Sequence, residues 1–474
     1  MLAAVRSLAG RHPAPVLASF TVVCALAWAL VAWLRLPAIA RDTLWAEDGR
    51  TFLQAAGAHG LLNTLFVPYA GYLHLVPRIL AGLVVLLPVD AWAIGMTAGS
   101  CLVAGFLAAV VFVCARDIVP WLPARLLVAS LTVLAPLAPR EVLGNAANVH
   151  SLFLWALLWM LLYRPRTQRG AVALGVIALV ASFTEIQSLL LLPLLVLRPR
   201  EPLRWIVRAG LLLGLFVQVV VTLAWPRAHP GNPPVPLLSE LYGYLINAVT
   251  PLAVPQTSIG PLIAAWGPAV GLVILVALTP AVIFAVMRGR RERRFAVVAL
   301  VAGSLVCVFV DLTTNPNSFY DYASMTQDEL RTVWLMRYGV VPSMMLAATV
   351  PIAASLAWER RAQAKRAPAK RAQAKRAPVK RVPGSRAPRR LGSGASLPGA
   401  LAVSSCLLLA VLLLAQVGPQ PTRRSGGPAW QPQVTAARSE CIREPELDSV
   451  VLRETLGWHV VVDCSRLSPL ADPD

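Results

Sequence analysis

Three carboxylates, Asp42, Glu47 and Asp48, stand within seven residues in the run Asp42-Thr43-Leu44-Trp45-Ala46-Glu47-Asp48-Gly49, directly after a long apolar stretch. Charge at the edge of a membrane is costly unless it is solvated or paired. Partial desolvation there raises a carboxyl pKa and prepares the group to take a proton near neutral pH. An exposed acidic loop, or ion pairs with Arg50 and Arg78, is the plainer alternative. The stretch Val67-Pro68-Tyr69-Ala70-Gly71-Tyr72-Leu73-His74 follows, and Arg78 then interrupts an apolar helix. Arg337-Tyr338 opens a late apolar stretch. Arginine's planar fork suits paired anionic oxygens, although an arginine at this position can also simply snorkel to the interface. Arg140 and Arg331 are further candidate cations. Glu185 is a lone carboxylate midway through the 29 mostly apolar residues 170–198, which makes it a functional candidate or the partner of an arginine. Two polar clusters offer hydrogen-bonding groups to a ligand: Arg140-Glu141, Asn145, Asn148 and His150, and Asp311, Asn315, Asn317, Asp321 and Tyr322. Both also fit ordinary polar loops, and His150 alone reads as a structural histidine at the interface.

The elements that must position these groups are apolar. The 474 residues are 57% hydrophobic and 14% charged, with a mean hydropathy of +0.65, which excludes an ordinary soluble domain. The net charge of +20 does not mark a nucleic-acid binder, because 13 of the 43 basic residues lie between Arg360 and Arg390 and others sit in short turns between apolar segments. That distribution reads as topology signal and contact with membrane lipids. Apolar stretches run from Ala14 to about Leu36 and then over 71–88, 91–114, 122–138, 149–163, 170–183, 186–198, 204–225, 259–287, 294–312, 336–357 and 397–416.

With the basic turns on the cytoplasmic side, 170–183 and 186–198 must form a short hairpin whose polar tip is buried in protein or faces outer water. Parity makes 71–88 re-entrant or interfacial. The expected fold is all-α: a polytopic bundle of about eleven crossings, N-terminus inside, C-terminus outside. Residues 1–358 form the bundle with its first outer loop at 37–77. Residues 359–393 form a disordered basic linker with a near-repeat (RAQAKRAPAK, RAQAKRAPVK), 394–417 the last crossing and 418–474 an outer tail. Cys441 and Cys464 are disulfide candidates in that tail, and the alternation in Trp458-His459-Val460-Val461-Val462 predicts a short strand ending near Cys464. The other five cysteines stand in or at the ends of apolar segments, and no Cys/His cluster suggests zinc.

The chain resembles bacterial polytopic membrane glycosyltransferases of the GT-C superfamily. The resemblance rests on Trp45-Ala46-Glu47-Asp48-Gly49, the Tyr69 to Arg78 stretch, the hairpin around Glu185 and Arg337-Tyr338, and it covers the chain to about residue 358. It implies a loop acid acting on the acceptor and a donor that is commonly a sugar on a polyprenyl phosphate. Glu47 or Asp48 is then the base, and Tyr72, His74, Arg78, Glu185, Arg337 and Tyr338 are substrate contacts. The implied partners are the lipid-linked donor and a cell-envelope acceptor at the outer face of the bacterial plasma membrane, with no nucleic acid.

Walker A, GxGxxG, HExxH, GxSxG and aspartate-any-aspartate motifs are absent from the sequence. A cytosolic nucleotide-sugar reaction is disfavoured, no cofactor is indicated, and metal dependence stays open. A transporter or flippase of a lipid-linked glycan would use the same arginines without a base, and a non-catalytic envelope-assembly protein would use the tail and linker as contacts.

Overall fold

A segment without water must pair its backbone groups internally, so apolar stretches bounded by arginine turns fold as helices. The computed structural model describes residues 13–227, 231–376 and 397–467 and is mostly helical. Among the described residues, six helices are long and apolar enough to cross a membrane: Val89–Asp117, Leu122–Glu141, Pro202–Ala224, Ala269–Arg288, Arg291–Thr314 and Arg337–Ala364. Shorter apolar helices, including His150–Leu162 and Gln168–Ser182, pack among them. Leu75–Val84 has ten residues, about 15 Å at 1.5 Å per residue, which is too short to cross.

The hairpin expected around Glu185 has arms of different helix type. Gln168–Ser182 is an α-helix of 15 residues, whereas Ile186–Val196 is a 3-10 helix of 11 residues. At about 1.5 and 2.0 Å per residue the two arms are each about 22 Å long. Their tip lies inside protein, with Thr184 and Glu185 buried. Gln168–Ser182 crosses Pro202–Ala224 at Gly175 and Gly210, where a Cβ on Gly210 would strike the Gly175 carbonyl. Small residues permit this backbone approach.

Two helices connect two polar regions of the bundle. Pro202–Ala224 carries Arg204 into a basic cavity and Thr222 into a second one, and Arg291–Thr314 does the same with Glu292 and Asp311. The pairs lie roughly 27 and 28 Å apart along their helices. Arg164, Arg166, Arg198 and Arg204 meet at the basic end.

The helix Val340–Arg376 differs from the sequence expectation, because residues 359–376, placed in a disordered linker, continue it. Alanine, arginine, glutamine and lysine are strong helix formers, and they dominate this stretch. The rest of the expected linker, 377–393, lies outside the described residues.

After the last apolar helix, Leu397–Leu414, the chain returns to the first loop. Gln420 N donates to Arg35 O at 2.9 Å and Arg423 N to Arg140 O at 3.0 Å. Trp430 N donates to Asp42 O at 2.6 Å. The helix Trp430–Arg443 then packs on an antiparallel pair, β1 (Ser449–Arg453) and β2 (His459–Asp463), with Val451 opposite Val461. Val450, Leu452, Val460 and Val462 face inward and share one apolar core with Leu44, Trp45, Phe52 and Leu53 of the first loop. The predicted strand and the Cys441–Cys464 disulfide are both present.

Candidate functional site

The second cavity, of about 490 Å³, lies where the first loop, the 147–150 segment, the hairpin tip and the 310–315 and 337–338 segments meet. Of the residues singled out in the sequence, Glu47, Tyr72, His74, Glu185, Arg337 and Tyr338 line it, as do Asn148, His150, Asp311 and Asn315 of the two polar clusters. Asp48 and Arg78 do not.

Glu47 and Asp48 are separated by the turn that carries them. A π-helical turn, Asp48–Leu53, starts directly after Glu47 and sends Asp48 inward. Its carboxylate accepts the backbone N–H of Ala146 at 3.0 Å and of Ala147 at 2.8 Å. Asp48 is 1% exposed. Burial pushes its pKa up to about 7, against the pull of the two amides and of Arg424. Asp48 therefore clamps the first loop to the 145–148 loop. Glu47 borders the cavity, and among the described residues its Oε2 is buried with no hydrogen-bond partner.

Arg337 brings the opposite charge. Its Nη1 donates to Glu141 Oε2 at 3.2 Å, while Nε is buried without a partner among the described residues. The guanidinium lies 5.0 Å from the Tyr338 ring centroid. Glu141, 3% exposed, is shared, because its Oε1 accepts Arg423 Nε at 3.2 Å. Arg424 reaches further into the first loop, donating to Thr43 O at 3.2 Å, Thr97 Oγ1 at 3.1 Å and Leu143 O at 3.1 Å. Glu454 of the same tail lies against the turn at Gly49, where a Cβ would collide with its carboxylate. Burial pushes the Glu454 pKa up to about 9, and the nearby Asp48 and Glu47 add to the rise while the Arg50 amide opposes it.

His74 belongs to an aromatic wall, its ring centroid 4.0 Å from Tyr72, 5.4 Å from Tyr69 and 5.8 Å from Phe52. Burial pushes its pKa down to about 3, helped by His150 and Arg78, so the ring is neutral. Burial also raises Tyr72 well above the usual phenol range. These residues can stack on and shape a ligand, and neither His74 nor Tyr72 changes its protonation state near neutral pH. Arg78 supports the wall from behind, with Nε donating to Val67 O at 2.8 Å and the guanidinium 5.4 Å from the Phe52 centroid.

The facing wall contains the group that sequence reasoning treated as structural. His150 Nδ1 meets Glu185 Oε2 at 2.5 Å, and Glu185 Oε1 accepts the Gln187 amide at 2.8 Å. Gln187 Nε2 in turn bonds Asp311 Oδ1. Arg227, hydrogen-bonded to Asn315, is a second cation on the cavity. Among the described residues no group of three His, Cys, Asp or Glu side chains is placed to hold a metal ion. The arrangement offers a carboxylate and a guanidinium with unsatisfied atoms, an aromatic wall and a hydrogen-bonded polar wall. Compared with protein-family models, characterised proteins and solved structures, the chain matches none.

Proposed function

We propose that the protein is a polytopic membrane glycosyltransferase of the GT-C kind, which moves a sugar from a polyprenyl-phosphate carrier to a cell-envelope acceptor at the outer face of the bacterial plasma membrane. The observation that carries this reading is that Glu47 and Arg337, each with a buried polar atom lacking a partner, border one cavity. Glu47 takes the proton of the acceptor hydroxyl, and Arg337 holds the phosphate through its fork. Tyr72, His74 and Tyr338 shape the sugar's surroundings, and Ile186, Leu189, Leu190 and Val310 supply an apolar side for the isoprenoid chain.

The topology proposed is eleven crossings with the basic turns in the cytoplasm. The roughly 27 to 28 Å between the two cavities along their connecting helices, close to the ~30 Å of a bilayer's hydrocarbon core, supports the part of it that puts the two cavities at opposite faces. The test is a membrane fraction or purified protein supplied with polyprenyl-phosphate sugars. Transfer of sugar with release of the lipid phosphate is the expected result. Movement of the intact lipid-linked sugar across the bilayer, without consumption, would replace this reading with that of a transporter.

A further inference from the structure

Glu185 uses both carboxylate oxygens inside the protein and its side chain is 2% exposed. It borders the cavity beside His150, and with both oxygens taken it acts on a ligand through the imidazole it holds. His150 opens the helix His150–Leu162 and borders the cavity. With Nδ1 on Glu185, the remaining polar atom of the ring is Nε2. A carboxylate behind Nδ1 fixes the tautomer and orientation of the ring and stabilises the imidazolium. The same wall holds Asp311, bonded through Gln187. A phosphate leaving as a dianion beside these carboxylates meets like charge in a poorly solvated space, and one proton would relieve that repulsion.

We propose that His150, oriented by Glu185, is the general acid that protonates the departing phosphate, a role that rests on the transferase reading above. In that step the acceptor hydroxyl gives its proton to Glu47 while its oxygen bonds to the anomeric carbon. The bond from that carbon to the phosphate oxygen breaks, its electron pair stays on the oxygen, and His150 Nε2 delivers a proton there. Glu47 then loses its proton to water and His150 regains one, so the protein ends each turnover unchanged. Glu185 is a positioning residue that acts through the ring.

The test uses the full chain in membranes with a polyprenyl-phosphate sugar as donor. His150→Gln keeps an amide for Glu185 but cannot act as the acid, and His150→Ala leaves space for a free imidazole. Turnover is expected to fall roughly 100-fold or more in both, with the donor KM little changed. Added imidazole should restore turnover about tenfold in His150→Ala and leave Glu47→Gln inactive. Glu185→Gln should lower kcat rather than raise KM. Mass spectrometry showing the intact Cys441–Cys464 bond controls for folding of the tail. Wild-type turnover in either His150 variant overturns the role, and so does a loss in His150→Ala that imidazole does not relieve. If the wild type consumes no such donor, the transferase reading falls and this role falls with it. Wild-type turnover in the His150 variants beside an inactive Glu47→Gln removes this role alone.

Discussion

Two cavities of the bundle are similar in size and differ in how their charges are paired. The basic one, about 580 Å³, holds four arginines and three carboxylates, and every one of those arginines is answered. Arg166 meets Asp117 at 3.2 Å, Arg164 meets Glu201 at 3.6 Å, and Arg204 meets Glu201 at 2.8 Å. Arg198 meets both Glu201 and Glu292. In the other cavity Glu47 Oε2 and Arg337 Nε are buried without partners among the described residues. A buried polar atom left unsatisfied costs about 1–3 kcal/mol, whereas partly exposed ion pairs contribute about 0–1 kcal/mol each. Charge density alone does not single out a reaction site, and neither does an unpartnered atom, since Asp42, Arg78, Arg423 and Glu454 also carry one; what sets this cavity apart is that a carboxylate and a guanidinium with such atoms border the same space.

The sharpest way to break this contrast is Glu47→Gln. Transfer should fall about 100-fold to 10,000-fold with the fold intact. Asp48→Asn should act differently, because an amide nitrogen would then face the N–H of Ala146 or Ala147. Its expected cost is about 1–3 kcal/mol of stability, with near-normal transfer per folded molecule. Assaying both variants against their folded fraction distinguishes the roles, and equal losses of transfer would erase them.

Arg337→Lys keeps charge but loses the fork, so donor use should weaken about tenfold, the equivalent of ~1.4 kcal/mol, and acceptor use less. Cys441→Ser opens a link with a sequence separation of 23 and should destabilise the tail lobe by about 3 kcal/mol, read from its thermal unfolding. The smallest effect belongs to the basic end. Arg166→Ala should shift stability by no more than about 1 kcal/mol and leave transfer unchanged. A large loss of transfer there would show that pairing does not separate the two cavities.

Much of the scaffold was legible in the sequence. Length and apolarity mark the long helices, alternation marks β2, and Cys441 and Cys464 stand apart from the five cysteines of the apolar segments. The cavity residues Glu47, Tyr72, His74, Glu185, Arg337 and Tyr338 were also within reach, because polar groups are conspicuous in an apolar chain. Choosing between Glu47 and Asp48 was not. They are adjacent, and only the π-helical turn and two amides about a hundred positions away assign them different work.

His150 looked structural because its partner lies 35 residues on, across the hairpin tip. Arg423, Arg424 and Glu454 were not singled out in the outer tail, where only the two cysteines and the strand over 458–462 stood out. Two consecutive arginines just after the last apolar helix, away from the basic turns, depart from the charge pattern that orients the bundle, and that departure was the available signal.

Arg424 donates to a carbonyl 381 residues earlier. Chains are synthesised at about 5–20 residues per second, so the ribosome needs roughly 20 to 80 seconds to travel from Thr43 to that arginine. Throughout this interval the acidic loop lacks Arg424, Glu454 and the apolar strands that lie beneath Trp45. A nascent or truncated chain therefore cannot complete its first loop, and the last stretch of the protein to be made decides when that loop takes its final shape.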